Sequence, residues 1–127
     1  MKKTKKKTKL QKWKRIKILK AKAENVFHHW IRIRDDYICY TCGLHGDIYN
    51  MQAGHFQHSS SDLDERNLHC QCVRCNKWLS GNLDVYTVKM IEQYGMEVVK
   101  ELQRLKGIPR KYTEQELNEV IEKYGKQ

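Results

Sequence analysis

Between Gly54 and Asn82 the chain reads GHFQHSSSDLDERNLHCQCVRCNKWLSGN, and the reading of this stretch decides the fold. Near its end stands Cys72-x-x-Cys75, and upstream of it lies a matching pair, Cys39-x-x-Cys42. A lone pair of this kind can be redox-active. Two of them at this separation form a four-thiolate knot that binds one structural zinc through Cys39, Cys42, Cys72 and Cys75. The knot clamps whatever lies between its halves, here a segment ending in His55, a polar loop and Asn67. Asn76 follows the last cysteine directly.

Outward from the knot, hydrophobic spacing sets the elements. Leu10, Trp13, Ile16, Leu19, Ala23, Val26/Phe27, Trp30 and Ile33 recur at steps of three and four, which predicts a long helix over Lys12–Arg34. Its two tryptophans are expected to pack over the zinc unit, and His28 and His29 to be surface helix residues. Tyr37–Gly43 reads as a zinc knuckle, with Gly43 supplying a positive φ. Residues 47–52 are expected as a short strand with His55 at its end, and 67–72 as a second. Residues 73–79 should open the helix of a ββα unit, stopped by Ser80-Gly81-Asn82. Three further helices follow at Leu83–Tyr94, Met96–Lys106 and after Thr113, where Thr113-x-x-Glu116 is a capping box. The expected class is α+β and mostly helical. A small zinc-stabilised ββα core would be flanked by a long N-terminal helix and C-terminal helices.

Charge is unevenly placed. The 127 residues carry a net charge of +10, yet residues 1–22 hold 12 of the 25 Lys and Arg and no acid. The remainder holds 13 basic and 15 acidic side chains, a net of −2. Residues 1–11 are therefore expected as a basic disordered tail, ahead of a single zinc-bearing domain over 12–127 with a C-terminal helical extension. Lys2, Lys3, Lys5, Lys6, Lys7, Lys9, Lys12, Lys14 and Arg15 are the candidate phosphate contacts, because lysine blocks release counterions from nucleic acid with little sequence preference. No apolar run is long enough for a signal-peptide core or a membrane span. Five cysteines, four of them in metal-type pairs, fit a reducing cytoplasm. Cys70, the fifth, is expected as a small buried residue outside the metal set.

Hydrolysis of a phosphodiester needs a base to activate water and a cation to neutralise the leaving oxygen. In the ββα-metal (HNH) arrangement the base is a histidine at the end of the first strand. An asparagine on the second strand steadies the site, and residues at the strand end and on the helix hold one magnesium or manganese ion. His55, Asn67 and Asn76 stand in those three places. The order alone is common by chance, but the flanking cysteine pairs make it specific.

The residues Ala53-Gly54-His55-Phe56, Asn67-Leu68-His69, Gln71–Asn76 and Ser80-Gly81-Asn82 closely resemble the phage NinG (Rap) recombination proteins. So do Ile31–Asp35 ahead of the first cysteine pair and Tyr86…Ile91…Tyr94-Gly95 behind the second. The resemblance covers about residues 25–105. It implies an HNH-branch endonuclease that cuts branched recombination intermediates such as Holliday junctions in the cytoplasm of a bacterial host. His55 would be general base, Asn67 its positioner and Asn76 a metal-side residue. A symmetric junction would suit a homodimer, and no small-molecule cofactor is implied. The chain departs from the commoner HNH pattern in having Gly54 where a metal-ligating aspartate often stands, and Asn76 for a final histidine. His58, Asp62 and Asp64 are the candidate replacement ligands. His69 is expected to face substrate or solvent. The rival readings are a non-catalytic zinc-containing nucleic-acid-binding module and an RNA-directed nuclease.

Overall fold

A computed structural model describes residues 2–58 and 60–126, with side chains for residues 8–58 and 60–126. It shows a small, mostly helical α+β fold. Helix α1 spans Lys2–Arg34, and strands β1 (Met51–His55) and β2 (Leu68–Cys72) follow. Then come a one-turn π-helix at Arg74–Trp78, α2 (Leu83–Tyr94), α3 (Met96–Leu105) and α4 (Glu114–Tyr124). The strands pair antiparallel with Met51 opposite Cys72 and His55 opposite Leu68. Every residue of β2 is buried, so it runs as a continuous core strand rather than alternating inside and out.

The chain clusters into two compact units, residues 28–110 and residues 1–27 with 111–127. In the second, Phe27 meets Tyr124 edge-on at 4.8 Å, and Arg15 Nε donates to Glu114 at 3.2 Å. Thr113 caps α4 through the reciprocal bonds its capping box predicts, to Glu116 N at 3.1 Å and from Glu116 Oε1 at 3.0 Å.

Within residues 28–110, α1 ends in a Schellman turn. Asp36 takes the left-handed conformation (φ 54°), and the amides of Asp36 and Tyr37 donate to the Ile33 and Arg32 carbonyls. Arg34 and Asp35 then fasten the helix end to the sheet. The Arg34 guanidinium pairs with Asp35 at 2.7 Å and donates to the Glu65 and Leu68 carbonyls, while Asp35 accepts from the Cys70 amide at 2.8 Å. Behind the sheet, Phe56, Tyr86, Met90, Val99 and Leu102 form one buried cluster that holds α2 and α3. Each such side chain contributes roughly 1.5–3 kcal/mol by leaving water.

Several expectations are corrected. Helix α1 begins at Lys2 rather than Lys12, since lysine and threonine carry no helix breaker. Its buried stripe is Ala23, Phe27 and Ile31 at steps of four; Trp13 is 58% exposed and Trp30 only half-buried beneath Arg34. Strand β1 starts at Met51 instead of residue 47, because the Asp47 carboxylate captures the Tyr49 and Asn50 amides in a side-chain turn. The helix after β2 is a π-turn, closed by the Leu79 amide on the Arg74 carbonyl at 2.8 Å. His69 lies in the core at 1% exposure, not toward solvent. His28 and His29 are both partly buried rather than fully on the surface.

Candidate functional site

The knuckle after α1 and the β2–π-turn corner bring the four paired cysteines together. Their sulfur atoms all lie within 4.8 Å of one another, with Cys42 and Cys72 at 3.7 Å. A tetrahedral zinc–thiolate site, with Zn–S bonds of roughly 2.3 Å, requires sulfurs about 3.8 Å apart. Donors are aimed at the sulfurs: the Cys75 amide at Cys72 (3.5 Å) and the Asn82 side chain at Cys75 (3.7 Å), while the Thr41 hydroxyl lies 3.4 Å from Cys39. Burial pushes the Cys39 thiol up, but Thr41 and neighbouring amides outweigh it and bring it down to about 6. Burial pushes Cys72 up, with the Cys75 and Cys39 thiols adding to it and the Cys75 amide and the Cys42 thiol opposing it. A knot of sulfurs this crowded, with N–H groups ready for thiolate charge, fits a structural dication such as zinc. Cys70 is fully buried and stands outside this set, with its thiol pushed up to about 12 by burial.

His55, at the end of β1, opens on a cavity of about 360 Å³ whose lining includes His58, Asn76, Gly81 and Lys106. Three side chains surround its ring. His58 stacks on it at 5.1 Å and 26°, His28 from α1 meets it edge-on at 5.8 Å and 84°, and Asp62 Oδ1 lies 3.4 Å from Nε2. Burial depresses the His55 pKa; Asp62 opposes that and His58 adds to it. Burial, then the neighbouring His55 and Arg32, bring His28 down to about 4, and its buried Nε2 has no hydrogen-bond partner.

Asn67 braces the loop between the strands. Its oxygen accepts from the Gln57 amide at 2.9 Å, and its nitrogen donates to the carbonyls of Gln57 (2.7 Å) and Ser61 (3.0 Å). Asn76, on the π-turn, donates to Gln52 Oε1 at 2.8 Å, which leaves its own oxygen as the atom able to serve a ligand. Asp64 is fully engaged by Arg66, which also holds Glu101, so it is not a free ligand. Among the described residues only the four cysteines form a ready group of three or more metal ligands.

The glycine before His55 has a steric cause. A Cβ at Gly54 would fall 1.8 Å from Gln71 Oε1, and Gln71 is fully buried and tied to Thr41 and the Gly81 carbonyl. An aspartate there would have to expel Gln71. The Gly54 carbonyl accepts from Tyr86 Oη at 2.8 Å, and Tyr86 in turn lies 2.9 Å from His69 Nδ1. Because the Tyr86 proton is spent on Gly54, His69 must donate from Nδ1 and accept from Tyr94 at Nε2 (2.9 Å).

The structure thus gathers His55, His58 and Asn76 around one cavity and the four cysteines at one point, while Asn67 is buried behind the cavity loop and does not line it. It also sets two residues against the base: His28, which the sequence pattern placed on the helix surface, and Asp62, which it offered only as a metal ligand. The available signal for His28 was its place beside Phe27 and one turn from Ile31, on the flank of the buried stripe. Lys9, Lys12, Lys14 and Arg15 are exposed on α1; the side chains of Lys2, Lys3, Lys5, Lys6 and Lys7 lie outside the described residues. Among the described residues no helix is long and apolar enough to cross a membrane.

A family model described as Bacteriophage Lambda NinG protein matches residues 1–127. Protein ninG of Escherichia phage 933W and Protein ninG of Salmonella phage P22 are each 38% identical over 86 residues, which is 64% of this chain and 42% of each relative. Protein ninG of Escherichia phage lambda is 37% identical over the same length and shares. The aligned part thus spans less than half the length of these relatives. No solved structure matches the chain. With a match along its whole length, the chain belongs to the NinG family.

Proposed function

We propose that the chain is a metal-dependent DNA endonuclease of the HNH type, acting in the host cytoplasm on branched recombination intermediates such as Holliday junctions. The observation that carries this reading is the convergence of His55, at the end of β1, with the Asn67-braced loop and Asn76 around one cavity beside the cysteine knot. This supports a ββα-metal-like site in which the π-turn at Arg74–Trp78 stands where the helix would be. The branched substrate is drawn from the resemblance to recombination proteins, and a four-way junction cut symmetrically would use two copies of the chain.

In this reading His55, largely neutral because burial depresses its pKa, removes the proton from the water that attacks phosphorus. Asn67 keeps the loop, and with it the ring's surroundings, in one geometry before substrate arrives. His58 and the Asn76 oxygen are the side chains offered to a divalent ion, with phosphate oxygens and water completing the shell. An imidazole with a neutral amide suits manganese better than magnesium. Bound there, the ion would neutralise charge on the leaving oxygen. Zinc in the knot would hold the two backbones on either side of His55.

The test is cleavage of labelled four-way junction, duplex and single-stranded DNA with magnesium, manganese or EDTA, with structured RNA as competitor. His55→Ala should slow cutting by about a hundred- to ten-thousand-fold. Zinc content and junction binding should stay at the parental level. Parental cutting by His55→Ala would defeat this reading and leave a nucleic-acid-binding module in its place.

A further inference from the structure

The loop from Gln57 to Asn67 is pinned at more points than a connector needs. Asn67 ties down Gln57, two residues after His55, and Ser61, immediately before Asp62. The Ser60 hydroxyl donates to the Leu105 carbonyl at 2.8 Å, and Asp64 is locked to Arg66. One asparagine side chain therefore fixes both the backbone beside His55 and the backbone beside Asp62. The result is a carboxylate facing an imidazole edge across 3.4 Å, with both side chains about four-fifths buried at 19% and 21% exposure. His58 stacked on the ring and His28 against it restrict any turn of the imidazole. Charged groups described in this neighbourhood include Arg32, next to His28 on α1, and Lys106 at the cavity. Neither can accept a proton from His55.

We propose that Asp62 is a positioning residue that holds the His55 imidazole with its proton on Nε2, which leaves Nδ1 as the nitrogen able to take a proton from water. The inference rests on the reading of His55 as general base and goes beyond it, by naming the reactive atom and the residue that selects it. Which nitrogen of a histidine is basic is set by the hydrogen bond the other one makes. A carboxylate is acceptor-only, so it selects the N–H on the side that faces it. The 3.4 Å separation is longer than a formed hydrogen bond of roughly 2.7–3.2 Å, and such contacts tighten when substrate closes the site. The same geometry gives Asp62 a role other than metal ligation, the part the missing aspartate would have played.

Long-range proton–nitrogen spectra of the zinc-loaded full chain read the tautomer directly, with the His55 signals assigned by their loss in His55→Ala. His55 should carry its proton on Nε2 at neutral pH. In Asp62→Asn the carboxamide can donate to Nε2, so the Nδ1–H form should appear and kcat should fall about a hundred-fold or more, with KM and the manganese requirement unchanged. Asp62→Glu, which keeps the carboxylate, should retain the Nε2–H form and most of the activity. An Nδ1–H tautomer in the parent, or a tautomer that does not respond to Asp62→Asn, would overturn the proposal. So would a raised manganese requirement in Asp62→Asn, since that marks a metal ligand. If the parent cuts no DNA at all, the endonuclease reading falls, and the spectra still decide the role of Asp62.

Discussion

His69 shows what burial does to a single residue here. Its ring is satisfied as a neutral imidazole by Tyr86 and Tyr94 and stacks on Tyr40 at 3.9 Å. Burial, then the Arg34 charge, bring its pKa from the ordinary 6.5 to about 4. Between these values the unfolded chain binds the proton and the folded chain does not. Stability should therefore be complete above pH 6.5 and fall as pH drops toward 4, by on the order of 3 kcal/mol from this residue. Urea unfolding across that window should show a flatter pH dependence in His69→Gln than in the parent; an equal slope would assign the acid sensitivity elsewhere. The sequence displays His69 beside an asparagine and two cysteines, which suggests a working surface. Its burial comes from Tyr86 and Tyr94, partners that sit one helix away. Gly54 is similar: its identity was plain, but its necessity depends on Gln71 across the strand pair.

At the scale of elements, local signals were legible and sheet edges less so. Helix α2 lies where its spacing places it, α3 ends one residue short, and the α4 capping box forms both its bonds. These depend on residues three or four apart, which the chain carries in plain order. The start of β1 was misplaced because the side chain of Asp47 competes for backbone donors, and pairing with β2 resumes only from Met51. The knuckle is joined to β2 by the Tyr40 amide on the Cys70 carbonyl and by Gln71 on Thr41, and its cysteines meet those of the corner after β2 in a cluster that could hold a structural metal such as zinc. Changing Cys39, Cys42, Cys72 or Cys75 to serine should lower zinc content and sharply lower the unfolding midpoint, because zinc binding energy is folding energy in such sites. Cys70→Ser should leave the zinc content at one per chain, as measured by elemental analysis. A fold that stays intact without zinc and with free thiols would refute the structural role.

For the whole molecule, charge and chemistry are segregated along the chain. Eleven of the 18 lysines lie in the first 22 residues, and the cavity with His55 belongs to residues 28–110. Deleting residues 1–9 removes six lysines, and should weaken DNA binding and flatten the logarithmic salt dependence by up to about 5. The cleavage step at saturating DNA should stay close to parental. Fluorescence anisotropy over a salt series would check this, and an unchanged slope would reject phosphate contact by the tail.

By itself the sequence determined the tetracysteine knot, the helices after it and the order His55, Asn67, Asn76, since each is written in spacing along the chain. Tertiary structure alone decided which residues meet His55. His28 arrives from a helix, His58 and Asp62 from a loop, and their mutual geometry follows from bonds that Asn67 makes to distant backbone. Burial, and so the charge state of His28, His55 and His69, is likewise a property of the packed chain, because desolvation depends on what surrounds a group rather than on its neighbours in sequence.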